Sequence, residues 1–300
     1  MIGKARCPGS CGEIVQGSIC GRNFLITCPI SLYSTVQVEL IKKREYERFT
    51  TDPTRVIEEW KKTRRAVRKL LDYFGFYEMD FNIRISSQIP VGKGLSSSTA
   101  DITAACLAVA KALGKHVSSD LIADIALSIE PSDGVMYKGC VIFDHLRGTW
   151  REVIGELPLM NVYIIDPGDE IDTIAFNSRA DLEEMNRKKE HLVEEALHMT
   201  REALKKKDFD LLGKAMIKSA LAHQEILYKP YLEDIINLSK KSRAIGVNIA
   251  HSGSAIGVFF EKSSIPDISF FEGLKRIMED YGREYRIIKT RIDNSGPQIL

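Results

Sequence analysis

The run Pro90-Val91-Gly92-Lys93-Gly94-Leu95-Ser96-Ser97-Ser98-Thr99-Ala100 has the residue types of an anion site. Two glycines let the backbone approach a ligand closely, and the serines add hydroxyls and N–H groups. The alanine-rich segment that follows reads as a helix whose positive end faces the loop. Together these parts suit the phosphates of a nucleotide. The spacing is not that of a Walker A loop, and Gly-x-Gly-x-x-Gly is absent. The same composition also builds an ordinary capped strand-to-helix turn, so the run alone leaves both readings open. Lys93 is placed to meet a phosphate or to sit in solvent.

Carboxylates come next. Glu130-Pro131-Ser132-Asp133-Gly134 follows the end of a predicted helix. Phosphoryl transfer needs charge neutralisation and an oriented acceptor oxygen, and Mg²⁺ takes few, hard oxygen ligands from protein. The alternative is a pair of exposed turn residues. His251 precedes a second glycine-bearing segment and, as a lone histidine, reads as structural. Thr173, after Asp166-Pro167-Gly168, is a further candidate for lining a substrate pocket. Cys7, Cys11, Cys20 and Cys28 are separated by three, eight and seven residues, which is not the paired spacing of a structural zinc site. Reduced, mostly buried thiols are expected instead.

The elements that position these residues are strands and helices without regular βαβ alternation, which argues for an α+β fold. Phe24–Cys28, Tyr33–Leu40 and Phe81–Ser86 read as strands. A helix is predicted from Asp52-Pro53 to Gly75, its apolar stripe running from Val56, Ile57 and Trp60 to Val67, Leu70, Leu71 and Phe74. Helices follow at about 99–113 and 119–129, and short strands at 141–143 and 162–165. From 180 to about 227 the chain is charged and helical, with a break near Lys207-Asp208. A helix near Pro230, strands at 246–250 and 256–261, a helix at 268–281 and a strand at 285–290 complete the pattern. A domain boundary is expected near residue 155, giving domains 1–155 and 156–300.

With 300 residues, 44% of them hydrophobic, the chain can bury a sizeable core. A net charge of +1 gives no global field toward nucleic acid or an anionic membrane. No apolar run approaches a spanning length, and the start shows no signal-peptide core. A cytoplasmic enzyme acting on a small molecule is the expectation.

Residues 90–100 resemble the phosphate-binding motif of the GHMP kinases, a proline and three variable residues followed by Gly-Leu-Gly-Ser-Ser-Ala. Ser96 replaces a glycine of that pattern and Thr99 an alanine. Both are small, so the loop should survive, although φ > 0 at Ser96 would favour glycine. Two further segments fall in the family's order: Ala5-Arg6-Cys7-Pro8-Gly9-Ser10-Cys11-Gly12-Glu13-Ile14-Val15-Gln16-Gly17, and Gly246 to Gly257 with His251-Ser252-Gly253 inside it. The resemblance covers nearly the whole chain. It implies an N-terminal domain like ribosomal protein S5 domain 2 and a ferredoxin-like C-terminal domain. It further implies ATP held by Pro90, Gly92, Lys93, Gly94, Leu95, Ser96, Ser97, Ser98 and Thr99, Mg²⁺ held by Ser98 and Glu130, and Asp133 near the acceptor hydroxyl. Substrate contacts would come from Ser10, Glu13, Gln16, Ser252 and Gly253. The stretch Cys-Pro-Gly-Ser-Cys-Gly-Glu with Gln16-Gly17 is similar to that of the bacterial L-threonine kinases of cobalamin synthesis, which implies L-threonine as substrate. Homoserine or another small alcohol is the alternative within the class, and a non-catalytic ligand-binding relative is the alternative outside it.

Overall fold

Residues 1–42, 60–169 and 171–300 are described by the computed structural model. The start of the helix expected at Asp52-Pro53, with Val56 and Ile57, lies outside them.

The first two strands are longer than the apolar runs suggested. β1 (Ile2–Ile19) and β2 (Arg22–Lys42) form one antiparallel hairpin. Cys20 and Gly21, both at positive φ, close it in the manner of a two-residue turn whose twist matches the strands. Register shifts break the pairing between Pro8 and Gly9 and on both sides of Glu13. Such bulges re-aim side chains locally. Here they fall within the segment that carries Ser10, Glu13 and Gln16. Gly12 at φ 53° lies so close to the Ile249 backbone that a Cβ would come within 2.6 Å of its carbonyl carbon and oxygen.

α1 (Lys61–Tyr73) buries Ala66, Val67, Leu70 and Leu71, and Gly75 at φ 79° follows its end. Trp60 precedes that helix in the left-handed region and is exposed. β3 (Met79–Ser87) pairs with β2. α2 (Ser97–Leu113) lies on the hairpin, and its small residues permit contact: a Cβ on Gly3 of β1 would sit 1.9 Å from the Ala108 carbonyl oxygen. Gly114 in the left-handed region ends it. α3 (Ser119–Leu127), capped by the Ser118 hydroxyl, leads into the loop that carries Glu130 and Asp133. β4 (Cys140–Phe143) and β5 (Arg151–Gly155) then extend the sheet from β2.

β6 (Met160–Asp166) opens the second half. α4 (Thr173–Asn177), α5 (Leu182–Lys188), α6 (Glu190–Lys206), α7 (Phe209–His223) and α8 (Leu232–Lys241) precede β7 (Gly246–Ile249). β8 (Ile256–Glu261), α9 (Ile268–Asp280), β9 (Arg286–Arg291) and β10 (Gln298–Ile299) follow. Lys207, left-handed, and Asp208, whose carboxylate accepts from the Leu211 amide, make the break expected between helices. The strand order β7-β8-β6-β9, all antiparallel, with β6 and β7 joined through helices and β8 and β9 through α9, is the ferredoxin-like arrangement. Phe260, Phe270, Leu274 and Ile235 pack within its core. β1 pairs with β7 at Glu13 and Ile249, so one sheet runs through both halves. No helix among the described residues is long and apolar enough to cross a membrane.

α7 seats on β7 through two glycines. A Cβ on Gly213 would lie 1.7 Å from the Ile245 carbonyl oxygen. Gly213→Ala should therefore destabilise by about 1–3 kcal/mol, as overpacking does, and lower the melting temperature by roughly 5 °C. An unchanged melting temperature in a thermal scan would show that this seat is loose.

Candidate active site

Three residues of the glycine- and serine-rich loop lie in the left-handed region: Gly92 at φ 74°, Gly94 at φ 74° and Ser96 at φ 60°. Gly94 packs on the C-terminal glycine loop, where a Cβ would be 2.5 Å from Ala250 Cβ and 3.0 Å from Gly253 Cα. Gly253 returns the contact, with a Cβ position 2.3 Å from the Lys93 carbonyl oxygen. Ser96 precedes α2 without a side-chain cap, and no acidic residue occupies the helix's first turn. The first amides of a helix have no intrahelical partners, so this end suits an anion.

A cavity of about 650 Å³ opens at that end. Gly92, Gly94, Leu95, Ser96, Ser97, Ser98 and Thr99 line it on one side, with Glu130 and Asp133. Lys62, His145, Asn177, His251 and Ser252 reach it from other elements.

The Ser98 hydroxyl donates to Glu130 Oε1, and the Lys62 ammonium, 2.5 Å away, donates to Oε2. Glu130 is almost completely buried, whereas Lys62 is nearly half exposed. A hydroxyl and a carboxylate oxygen side by side, with a cation already against the carboxylate, fit the hard-oxygen preference of Mg²⁺. Asp133 Oδ2 accepts from the Ser96 hydroxyl at 2.5 Å. Burial pushes the Asp133 carboxyl above its ordinary range; the Ser96 hydrogen bond opposes this and the Glu130 charge adds to it. Glu13 is pushed well up, first by burial and then by Asp133, and its Oε2 has no hydrogen-bond partner among the described residues. Two of these three carboxyls thus have their charged forms disfavoured at short range.

His145 and His251 line the same cavity edge to face, with His223 tilted against His251. His145 and His251 are 4.8 Å apart between centroids, and His251 and His223 are 5.2 Å apart. His223 Nε2 is 2.9 Å from the His251 carbonyl and Nδ1 is 3.2 Å from the Lys189 ammonium. A carbonyl and an ammonium on opposite nitrogens require the proton on Nε2. His251 Nδ1 bonds Gln16 Oε1, and Gln16 Nε2 donates to the Ile249 carbonyl. Burial lowers all three imidazoles, His145 to about 4, and lowers Lys189 to about 7.

The residues singled out from sequence fall into two groups. Gly92, Gly94, Leu95, Ser96, Ser97, Ser98, Thr99, Glu130, Asp133 and Ser252 line the cavity. Pro90, Lys93, Ser10, Glu13, Gln16 and Gly253 are not among the residues that line it. Lys93, open between a phosphate contact and solvent on sequence, is buried, which rules out the solvated alternative; its ammonium donates to the Gly168 and Asp169 carbonyls at 2.7 and 3.0 Å, 3.8 Å from Asp166 Oδ1. It ties the loop after β6 to the phosphate loop. Ser10 reaches Ser96, and Gln16 reaches His251, so both act through a neighbour. His251 is structural in its contacts, as expected, but also lines the cavity. Thr173 opens α4, and its neighbours Ile171 and Asp172 line the same space. Five cysteines are buried in the core and Cys20 is exposed. Sequence reasoning missed Lys62, His145 and Asn177. Lys62 sits in a basic run that reads as a solvated face, and His145 follows a short strand with no motif around it.

The description "GHMP kinases N terminal domain" matches residues 61–139, and "GHMP kinases C terminal" matches residues 200–269. The chain is 30% identical over 263 residues to an L-threonine kinase of Citrobacter freundii, covering 86% of each chain. It is 29% identical over 265 residues to an L-threonine kinase of Salmonella typhimurium, covering 87% of this chain and 84% of that one. Among solved structures, homoserine kinase from Cytophaga hutchinsonii superposes with a TM-score of 0.71 at 17% identity, over 100% of this chain and 97% of that one. Lactococcus lactis galactokinase, complexed with galactose, gives a TM-score of 0.72 at 14% identity, over 100% and 95%. The chain belongs to the GHMP kinase family and has its two-domain fold. It is accordingly a phosphotransferase with an alcohol acceptor and ATP as phosphoryl donor.

Burial lowers His145 in the folded chain to about 4, from an ordinary 6.5. Between these values the unfolded chain binds the extra proton, so stability falls as pH drops from about 6.5 to about 4. His145→Gln should remove that share, roughly 1–2 kcal/mol by pH 5. Ligand-free melting temperatures at pH 7 and pH 5 should thus differ less in the variant than in the parent; parallel losses would contradict the burial of a neutral imidazole.

Proposed function

We propose that this chain phosphorylates the side-chain hydroxyl of L-threonine with ATP, yielding O-phospho-L-threonine and ADP for the aminopropanol linker of adenosylcobalamin. The observation that carries this reading is the 30% identity, over 86% of the chain, to the Citrobacter freundii L-threonine kinase. A cytoplasmic setting and a domain boundary at 155/156, in the link between β5 and β6, belong to the same reading.

The backbone amides of residues 92–99, with the Ser97 hydroxyl, hold the phosphates at the N-terminal end of α2. Ser98 and Glu130 would hold Mg²⁺, which supplies charge neutralisation to the phosphates. Lys62, now against Glu130, is placed to hold a phosphate oxygen as well. Asp133 orients the threonine hydroxyl and takes its proton. Burial makes Asp133 a stronger base than an exposed aspartate, provided it is ionised. Ser252 lies against the substrate. Ser10, Glu13, Gln16 and Gly253 support the groups that touch it. Retention of Ser98, Glu130 and Asp133 in one cavity favours a working kinase over a non-catalytic relative, since a binding module has no need of them.

Asp133→Asn should cut turnover by about 10²–10⁴-fold while the rise in melting temperature with Mg-ATP is kept. Near-normal turnover in Asp133→Ala would remove the base from the mechanism. Glu130→Gln should also slow turnover and recover in part as Mg²⁺ is raised; full activity at low Mg²⁺ would exclude Glu130 as a ligand.

In a panel read by ADP release, L-threonine should outperform L-serine and L-homoserine, because its methyl fills apolar space worth about 1–3 kcal/mol. A preference for homoserine would replace threonine as substrate and leave the kinase class standing.

A further inference from the structure

Ser96 stands where the GHMP pattern carries glycine, and it adopts a conformation that glycine accepts more readily, φ 60° and ψ 28°. A side chain in the left-handed region is strained, and such strain persists only where the surroundings hold it. What holds it is the hydroxyl. Ser96 Oγ donates to Asp133 Oδ2 at 2.5 Å and meets Ser10 Oγ on its other side. A serine has one O–H to give. With that proton committed to the carboxylate, the Ser10 hydroxyl donates to Ser96, and the chain of bonds runs one way from Ser10 through Ser96 to Asp133. The Ser10 amide donates to the Leu95 carbonyl at 3.1 Å, which ties the start of that chain to the phosphate loop.

The charges around Asp133 explain why a donor is needed. Glu130 lies on the same loop and Glu13 faces it from β1. Lys62 of α1 is engaged with Glu130. His145 and His251, which line the same cavity, are buried and neutral. Among the described residues, Ser96 is the side chain that donates to Asp133, and nothing donates to Oδ1.

We propose that Ser96, backed by Ser10, is a positioning residue for the phosphoryl transfer, which holds the Asp133 carboxylate by Oδ2 and leaves Oδ1 for the substrate hydroxyl. The inference rests on the role given to Asp133 above. It turns a departure from the family pattern into a working part, obtained at the expense of backbone strain.

The test is Ser96→Gly, made alone and in an Asp133→Asn background, with kcat for L-threonine at saturating ATP followed against pH. Glycine relieves the strain, so the variant should melt at or above the parent temperature and keep the ATP-induced shift. Its kcat should nonetheless fall about 10-fold, the scale of a hydrogen bond to a charged group. The acidic limb of the profile should move to higher pH by about half a unit, because loss of the donor disfavours the ionised carboxylate. Ser96→Asn, which tolerates the left-handed region and can donate, should recover part of the rate. In the Asp133→Asn background, Ser96→Gly should change kcat less than about twofold, as expected of groups acting as one unit. Parental kcat and an unmoved limb in Ser96→Gly, with Asp133→Asn impaired, overturn the inference and leave the function standing. Equal losses in both backgrounds also overturn it, because the role is then structural. Parental turnover in Asp133→Asn itself removes both. Should Ser96→Gly fail to fold, Ser96→Ala, which deletes only the hydroxyl, carries the same comparison.

Discussion

The phosphate loop and the C-terminal glycine loop touch backbone to backbone, Gly94 against Gly253 and Ala250, with no room for a Cβ at Gly94 or at Gly253. The Ala255 amide points at the Lys93 carbonyl across the same contact. The buried Lys93 ammonium adds a further tie between the phosphate loop and the second half of the chain, through the Gly168 and Asp169 carbonyls. The hairpin supplies the matching constraint from below, since β1 pairs with β2 along its length and with β7 at Glu13. A cavity built from both halves keeps its shape only if those halves keep their register, and these two contacts set it.

Within that frame the electrostatics are asymmetric. Glu13, Asp133 and Glu130 gather on one side, and the Lys62 ammonium reaches only the last of them. The imidazoles are buried and held neutral. A site of this kind disfavours added negative charge until cations accompany it, which matches a substrate that arrives as phosphate with a divalent ion. The same crowding makes Asp133 harder to ionise than an exposed aspartate. Its hydrogen bond from Ser96 then matters more than it would on a surface.

Features that depend on local backbone chemistry were legible in the sequence. Gly75 ends a helix because the left-handed region suits it, and the break expected near Lys207-Asp208 falls where Lys207 turns left-handed and the Asp208 carboxylate accepts from the Leu211 amide. Glycines crowded with serines before a small-residue helix announced the phosphate loop for the same reason. Features that depend on distant chain were not. Lys62 lies 68 residues before Glu130, in a run of basic residues that gives no sign of it. Lys93 stayed open between a phosphate and solvent because its partners, the Gly168 and Asp169 carbonyls, arrive only when β6 ends beside it. β5 is short, polar and only partly buried, so periodicity had little to register. Ser96 is intermediate: the sequence raised the question of its φ, and only the fold showed what its hydroxyl does.

The motif near the start also changes meaning once placed. Ser10, Glu13 and Gln16 have the chemistry to grip a zwitterion, yet the Ser10 and Gln16 side chains bond to Ser96 and His251, whereas Glu13 pairs with Ile249 through its backbone and its Oε2 has no partner among the described residues. Gln16 fixes the His251 ring by its Nδ1 proton, and His223 fixes the backbone of the same residue through its carbonyl. A neutral imidazole held on two sides presents one tautomer to the cavity. Orientation of this kind lowers the reorganisation needed when a small polar substrate enters, because rotamer and tautomer are chosen before binding. A motif residue can therefore govern substrate recognition without touching the substrate, by restricting the groups that do.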